Sequence, residues 1–281
     1  MEIAVEDAER FANYCEEIRP HFDFEYFNRS ASMAKRLHVD KWLFKDIKVE
    51  GLENIEEVKD KQLFYVSNHR SLTDFLVQPY VLWGNKLPIP KIIAGANLFK
   101  FPIKNFLKKC GAISLDRTIK ERLYLLAFCE VVKQGLLSGE GLLDYAEGTR
   151  NRGEGVKKFK TGIIHLALDA AELGKDIYAI PCSVDYDNIV EKVALETVDM
   201  WKSKRDFHLS RKEKLKAKIY DHLGFYSDYL AYLPRVFSNN KGNVYLRFGK
   251  AFPINNFDKQ TLAERLYTEV SNLSALSNQK I

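Results

Sequence analysis

Three short segments gather residue types able to do acid–base and anion chemistry. The first is Ser67-Asn68-His69-Arg70-Ser71-Leu72-Thr73-Asp74. An imidazole with an ordinary pKa near ~6.5 accepts a proton at neutral pH, and a carboxylate beside it fixes the tautomer. His69 and Asp74 are five apart, which is about 140° out of line at 3.6 residues per turn. A turn, not a shared helical face, must therefore bring them together. With Ser71 as N-cap, Asp74 falls at N3 and His69 lies two residues upstream, free to fold back. The same Ser71-x-x-Asp74 spacing is also a capping pattern, in which Asp74 serves backbone donors alone. The second segment, Tyr145-Ala146-Glu147-Gly148-Thr149-Arg150-Asn151-Arg152, is followed by Lys157, Lys158 and Lys160. Backbone N–H groups at a glycine turn and a guanidinium fork suit an anion, phosphate above all; a solvated basic loop is the competing reading. In the third, Gly111 to Arg117, an arginine again ends an apolar run. Arg117 and Arg150 are expected to converge on one phosphate, unless Arg117 is spent on a surface pair with Asp116 or Glu121.

Each segment sits where a short β-type run stops. Ile47–Glu50, Leu63–Ser67, Ile92–Ala94, Ala112–Leu115, Gly141–Tyr145, Ile177–Ser183 and Val244–Phe248 read as strands, and they alternate with helical patterns at Leu72–Leu82, Lys120–Leu137 and Thr161–Leu173. Gly174 supplies the left-handed residue that closes the last of these. The alternation predicts an α/β fold, a central mixed sheet flanked by helices. Residues 1–45, rich in aromatic and charged side chains, form one or two leading helices. Residues 46–281 form the main domain, with a helical insertion at about 201–237.

Composition narrows the class. A chain of 281 residues, 46% hydrophobic, buries a real core. A net charge of +5 on such a length is no nucleic-acid signature. Cys15, Cys110, Cys129 and Cys182 show neither CxxC pairing nor zinc spacing, and no apolar run opens the chain as a leader or reaches the ~20 residues of a membrane span. The expectation is reduced thiols in a cytoplasmic protein, peripheral on the membrane surface. Residues 202–218 carry eight basic side chains against Asp206 and Glu213, and Leu215, Ile219, Leu223, Tyr226, Leu230 and Leu233 follow at helical spacing. That is a basic, amphipathic stretch fit for an anionic membrane surface or for packing on the sheet.

In order along the chain, His69-x4-Asp74, Gly111 to Arg117, Glu147-Gly-Thr-Arg-x-Arg152 and Ala179-Ile180-Pro181-Cys182 resemble the four motifs of the glycerophospholipid acyltransferase family. This family includes the lysophosphatidate and glycerol-3-phosphate acyltransferases. The resemblance covers about Ile47 to Val190, with flanking strands at Lys48–Asn54 and Leu246–Pro253. It implies transfer of a fatty acyl group from acyl-CoA or acyl-carrier protein, as co-substrate and without a cofactor, to a phosphorylated glycerol lipid. His69 would be the general base, oriented by Asp74, and the acceptor's own hydroxyl the nucleophile. Arg117 and Arg150 would hold the phosphate, and Glu147, Gly148 and Thr149 would shape the loop or touch the glycerol. Backbone N–H groups of the Arg70-Ser71 turn or near Gly148 are the expected oxyanion donors. Asn68 before His69 and the Glu147-Gly-Thr-Arg spelling resemble lysophosphatidate enzymes. Tyr186-Asp-Asn-Ile-Val-Glu191 and Arg117-Thr118 look more like enzymes of glycerol-3-phosphate or dihydroxyacetone phosphate. Lysophosphatidate is the first expectation for the acceptor and glycerol-3-phosphate the alternative. A non-catalytic lipid-binding protein is the rival from another class. A hydrolase ranks below both, since the chain has no nucleophile elbow, HExxH or P-loop.

Overall fold

The computed structural model describes residues 5–99, 102–151, 153–189 and 241–276. The basic stretch at 202–218 and the expected insertion at 201–237 lie outside the described residues, as does Arg152.

Strands β1 (Asp46–Glu50), β2 (Gln62–Ser67), β3 (Lys91–Gly95), β4 (Ala112–Leu115), β5 (Leu142–Tyr145), β6 (Ile177–Tyr186), β7 (Asn243–Phe248) and β8 (Phe252–Pro253) form one sheet. Its order is β1-β7-β6-β2-β5-β3-β4, with β8 beside β6. The block β6-β2-β5-β3-β4 is parallel throughout, whereas β7 and β8 run antiparallel to β6. The sheet is therefore mixed, as expected. The helices are α1 (Val5–Ile18), α2 (Phe24–Arg36), α3 (Val39–Leu43), α4 (Glu53–Glu56), α5 (Asp74–Gly84), α6 (Ile103–Lys109), α7 (Arg122–Leu137), α8 (Gly162–Glu172) and α9 (Lys259–Ala275).

Both faces of the parallel strands are covered, which explains their nearly unbroken apolar runs. In β2, Phe64 and Val66 enter the core under α1, α7, α8 and α9, while Leu63 and Tyr65 enter the one under α5. Each such side chain, taken fully out of water, contributes roughly 1.5–3 kcal/mol. Gly174 follows α8 at φ +91°, the left-handed stop its position predicts.

Three helices, not one or two, precede β1, and they pack against the rest of the fold on both faces of the sheet. Ile18 is fully buried in the core that holds Phe64, Tyr14 packs edge-on against Tyr124 at 5.3 Å, and Phe27 and Phe44 are buried on the α5 side. Trp83 Nε1 of α5 donates to Asn28 Oδ1 at 2.9 Å. The boundary at residue 45 is thus one of sequence pattern rather than of packing.

The connection leaving β2 runs to α5 on one face, and the connection leaving β5 runs to α8 on the other. Neighbouring strands whose exits diverge in this way leave a crevice at their carboxyl ends. Ser67 and Tyr145 are register partners at that point, and both lead directly into segments singled out above.

Candidate active site

The loop after β2 is held by its own polar residues. Asn68 is fully buried, its Oδ1 accepting from Val184 N at 2.8 Å and its Nδ2 donating to Val184 O at 3.1 Å, so its side chain continues the pairing with β6 where the backbone turns away. Arg70, also buried, sends Nε to Asp185 Oδ1 (3.2 Å), Nη1 to Gly153 O (2.8 Å) and Nη2 to Ser274 Oγ (3.2 Å). It is an internal brace and not a ligand-binding cation.

Asp74 opens α5, two residues later than the pattern placed the helix start, because Leu72 and Thr73 are used in the turn. Its carboxylate is fully buried. Oδ2 takes His69 Nδ1 at 2.8 Å, Arg70 N at 2.7 Å and Ser71 N at 3.0 Å, and Oδ1 takes the Tyr186 hydroxyl at 2.6 Å. Cap and partner are therefore not alternatives: one oxygen does both. With the Asp74 oxygens serving as acceptors to four donors, His69 meets Oδ2 through the protonated Nδ1. Nε2 is left as the basic nitrogen. The ring stacks on Tyr145 at 4.6 Å and 22°, and Tyr145 is pinned in turn by its hydroxyl on Gln78 Oε1 at 3.0 Å. The Arg70 and Ser71 amides are spent on Asp74, and the Gly148 amide on Tyr145 O at 2.8 Å. These three amides are occupied in this geometry.

The loop after β5 closes against the first. Glu147 is buried, accepting from His69 N at 3.2 Å and Lys157 N at 3.3 Å. Desolvation raises its pKa, and those two amides with Arg70 and His69 oppose the rise. It braces the His69 loop, the first of the two roles expected of it, and lies outside the cavity lining. Asn151 N donates to His69 O at 2.6 Å, a second tie between the loops. Gly148 has φ +68°, a left-handed backbone that favours glycine, and its open side is occupied by the flexible end of Lys160.

These loops enclose a cavity of about 220 Å³ lined by His69, Arg117, Asp144, Gly148 and Lys160 among others. An Nη1 hydrogen of Arg117 is donated to Gly148 O. Arg150 is half-buried and, like exposed Thr149, outside that lining. The cations in the lining itself are Arg117 and Lys160. Sequence reasoning overlooked Lys160 as a cavity residue, and also Asp144, Tyr145 and the buried link from Tyr186 to Asp74. A charged residue at an interior strand position was the available signal for Asp144.

A second, larger hollow of about 420 Å³ lies between α2, α3, α5 and α6, lined almost wholly by apolar side chains such as Phe27, Leu43, Val77 and Phe106. Phe75 and Ala94 belong to both linings. Cys182 is fully buried and its thiol is pushed well above the ordinary range by desolvation, which suits an inert core residue.

A largely apolar cavity that holds a carboxylate-bound histidine and the two cations Arg117 and Lys160 is equipped to deprotonate a hydroxyl beside an anionic group. Comparison with known proteins points the same way. Residues 46–185 match the acyltransferase family model. The chain is 27% identical over 248 residues to the glycerol-3-phosphate acyltransferase of Haemophilus ducreyi, covering 86% of this chain and 28% of that protein. With the corresponding protein of Shewanella woodyi it shares 26% over 240 residues, covering 83% of this chain and 27% of the relative. The chain thus spans little more than a quarter of these relatives. Its fold matches the crystal structure of the 1-acyl-sn-glycerophosphate (lysophosphatidate) acyltransferase of Thermotoga maritima with a TM-score of 0.56 at 19% identity, over 90% of this chain and 80% of that one. The family match begins at β1 and ends in β6, and so contains both loops of the site: residues 46–185 are a domain of the acyltransferase family.

Proposed function

We propose that the protein is an O-acyltransferase that moves a fatty acyl group from a thioester, acyl-CoA or acyl-carrier protein, to a hydroxyl of a glycerol phosphate. The observation that carries this reading is the 2.8 Å contact of His69 Nδ1 with the fully buried Asp74, in a cavity whose rim holds Arg117 and Lys160. His69 Nε2 takes the proton of the acceptor hydroxyl as its oxygen attacks the thioester carbonyl carbon. Collapse of the tetrahedral intermediate breaks the C–S bond, and the imidazolium returns its proton to the leaving thiolate. Asp74 stabilises the transient imidazolium. No residue is acylated in this scheme.

The apolar hollow beside the cavity is the natural seat for the acyl chain, because the two share Phe75 and Ala94. Met33, Leu37 and Leu76 on its lining are largely exposed, as are Phe24 and Trp42 on the same helical layer. Such an apolar rim supports a membrane surface as the place where the chain meets its lipid. Among the described residues no helix is long and apolar enough to cross a membrane.

The names of the relatives favour glycerol-3-phosphate, while the fold neighbour and the Glu147-Gly-Thr-Arg spelling favour lysophosphatidate. The test is an assay of purified protein with labelled acyl-CoA and acyl-carrier protein against both acceptors, with product identification. Transfer that needs His69 supports the reading. A folded protein that binds lipid yet transfers nothing is instead a lipid-binding relative.

A further inference from the structure

Asp144 has no role in the scheme above. It is the third residue of β5, register partner of Val66, in a strand otherwise made of Leu142, Leu143 and Tyr145. Only 6% of it is exposed, and its Oδ2 has no hydrogen-bond partner among the described residues. A buried polar atom left unbonded costs on the order of 1–3 kcal/mol, and proteins keep few of them without a use. Asp144 is on the wall of the same cavity as His69, and it directly precedes Tyr145, the residue that stacks on the His69 ring. Arg117 is close enough to favour its charged form, yet its Nη1 donates to Gly148 O. Nor is Asp144 placed to act as a second partner for the imidazole, whose Nδ1 already belongs to Asp74.

A carboxyl in such a place is built to receive a donor from the ligand. The attacked hydroxyl belongs to His69 and the phosphate to the cations of the rim, so a further donor on a small polyol phosphate can only be its second hydroxyl. We infer that Asp144 determines acceptor specificity by bonding the non-reacting hydroxyl of a three-carbon polyol phosphate. The substrate class is then an acceptor with two free hydroxyls, such as glycerol-3-phosphate. An acceptor whose second hydroxyl is already esterified has no donor to offer and leaves Oδ2 unbonded. This inference rests on the acyltransferase reading and names the acceptor for it.

The experiment compares glycerol-3-phosphate, 3-hydroxypropyl phosphate (which lacks the second hydroxyl) and lysophosphatidate as acceptors, for the native protein and for Asp144→Asn and Asp144→Ala. The native protein is expected to favour glycerol-3-phosphate over 3-hydroxypropyl phosphate by about 10- to 100-fold in kcat/KM, the usual effect of losing a hydrogen bond to a charged group. In Asp144→Ala that ratio falls toward one. Asp144→Asn, nearly isosteric, gives an intermediate ratio and guards against a folding artefact. Equal use of the two small acceptors by the native protein overturns the inference, and so does an equal loss toward both in the variants. Transfer to lysophosphatidate alone also overturns it while leaving the acyltransferase reading intact. No transfer to any acceptor from either donor removes that reading itself.

Discussion

The two walls of the cavity are built on opposite terms. On the His69 side every oxygen of the key carboxylate is occupied: Asp74 receives four donors and is sealed from water. On the Asp144 side a carboxyl that is also buried has an oxygen with nothing bonded to it among the described residues. An over-determined carboxylate holds an imidazole in one tautomer and one orientation without reorganising during reaction. An under-determined one is held ready for a partner that arrives with the ligand. The first costs little to keep buried because its bonds replace those to water, and the second is kept at the expense of stability. The comparison separates a wall that performs chemistry from one that selects.

The largest effect is expected where the first wall is broken. His69→Ala removes the base and should lower kcat by on the order of 10²–10⁴ with the fold intact; transfer at the native rate by a folded variant sinks the mechanism. Asp74→Asn keeps the shape but offers the imidazole an amide, and the loss in kcat should approach that of His69→Ala, with little change in acceptor KM.

The second wall makes a different prediction, in stability. Burial pushes the Asp144 carboxyl up to about 7 from an ordinary 3.8. The folded state therefore holds this proton more tightly than the unfolded chain does. The stability linked to it is fully present below pH ~4 and is lost as pH rises toward 7. At about 1.36 kcal/mol per unit, the loss at pH 8 is on the order of 4 kcal/mol at most. Asp144→Asn cannot ionise and escapes it. Its stability advantage over the native protein should grow between pH 5 and 7 and level off above, as read by denaturant melts. A pH-independent difference would mean that Asp144 does not carry a buried charge.

A smaller effect tests how far the first wall is over-determined. Tyr186→Phe deletes the 2.6 Å bond to Asp74 Oδ1 but leaves the three donors on Oδ2. A fall in kcat of several-fold up to about tenfold is expected, with both KM values and the melting temperature nearly unchanged. An equal fall in stability would make Tyr186 a packing residue, held by its ring contact with Phe44 at 5.9 Å.

Much of this was open to reading along the chain. The strands ending at Ser67, Leu115 and Tyr145 follow from apolar runs stopped by polar turns, and the placement of His69 and Asp74 around a turn follows from their spacing alone. The ends of elements were less legible. Helix α5 starts at Asp74 because Ser71 Oγ bonds Thr73 N at 3.1 Å and holds the preceding residues in a turn, a local contest that propensity does not decide. The sequence left Glu147 between shaping its loop and touching the ligand, and its two backbone partners, far apart along the chain or across a turn, are seen only in the fold.

Spacing and residue type determined which side chains are able to react, since a five-residue interval and a turn are properties of the chain itself. Which side chains share a cavity was decided only by tertiary structure. Strand order is set by packing across long separations. It places β7, nearly two hundred residues after β1, between β1 and β6, and it brings β5 beside β2, so that the ring of Tyr145 meets that of His69. The same pairing puts Lys160 and Asp144 in the cavity and leaves Arg150 outside its lining. A turn at positive φ redirects the chain within two residues, and no periodicity in the sequence records which way its side chains then face.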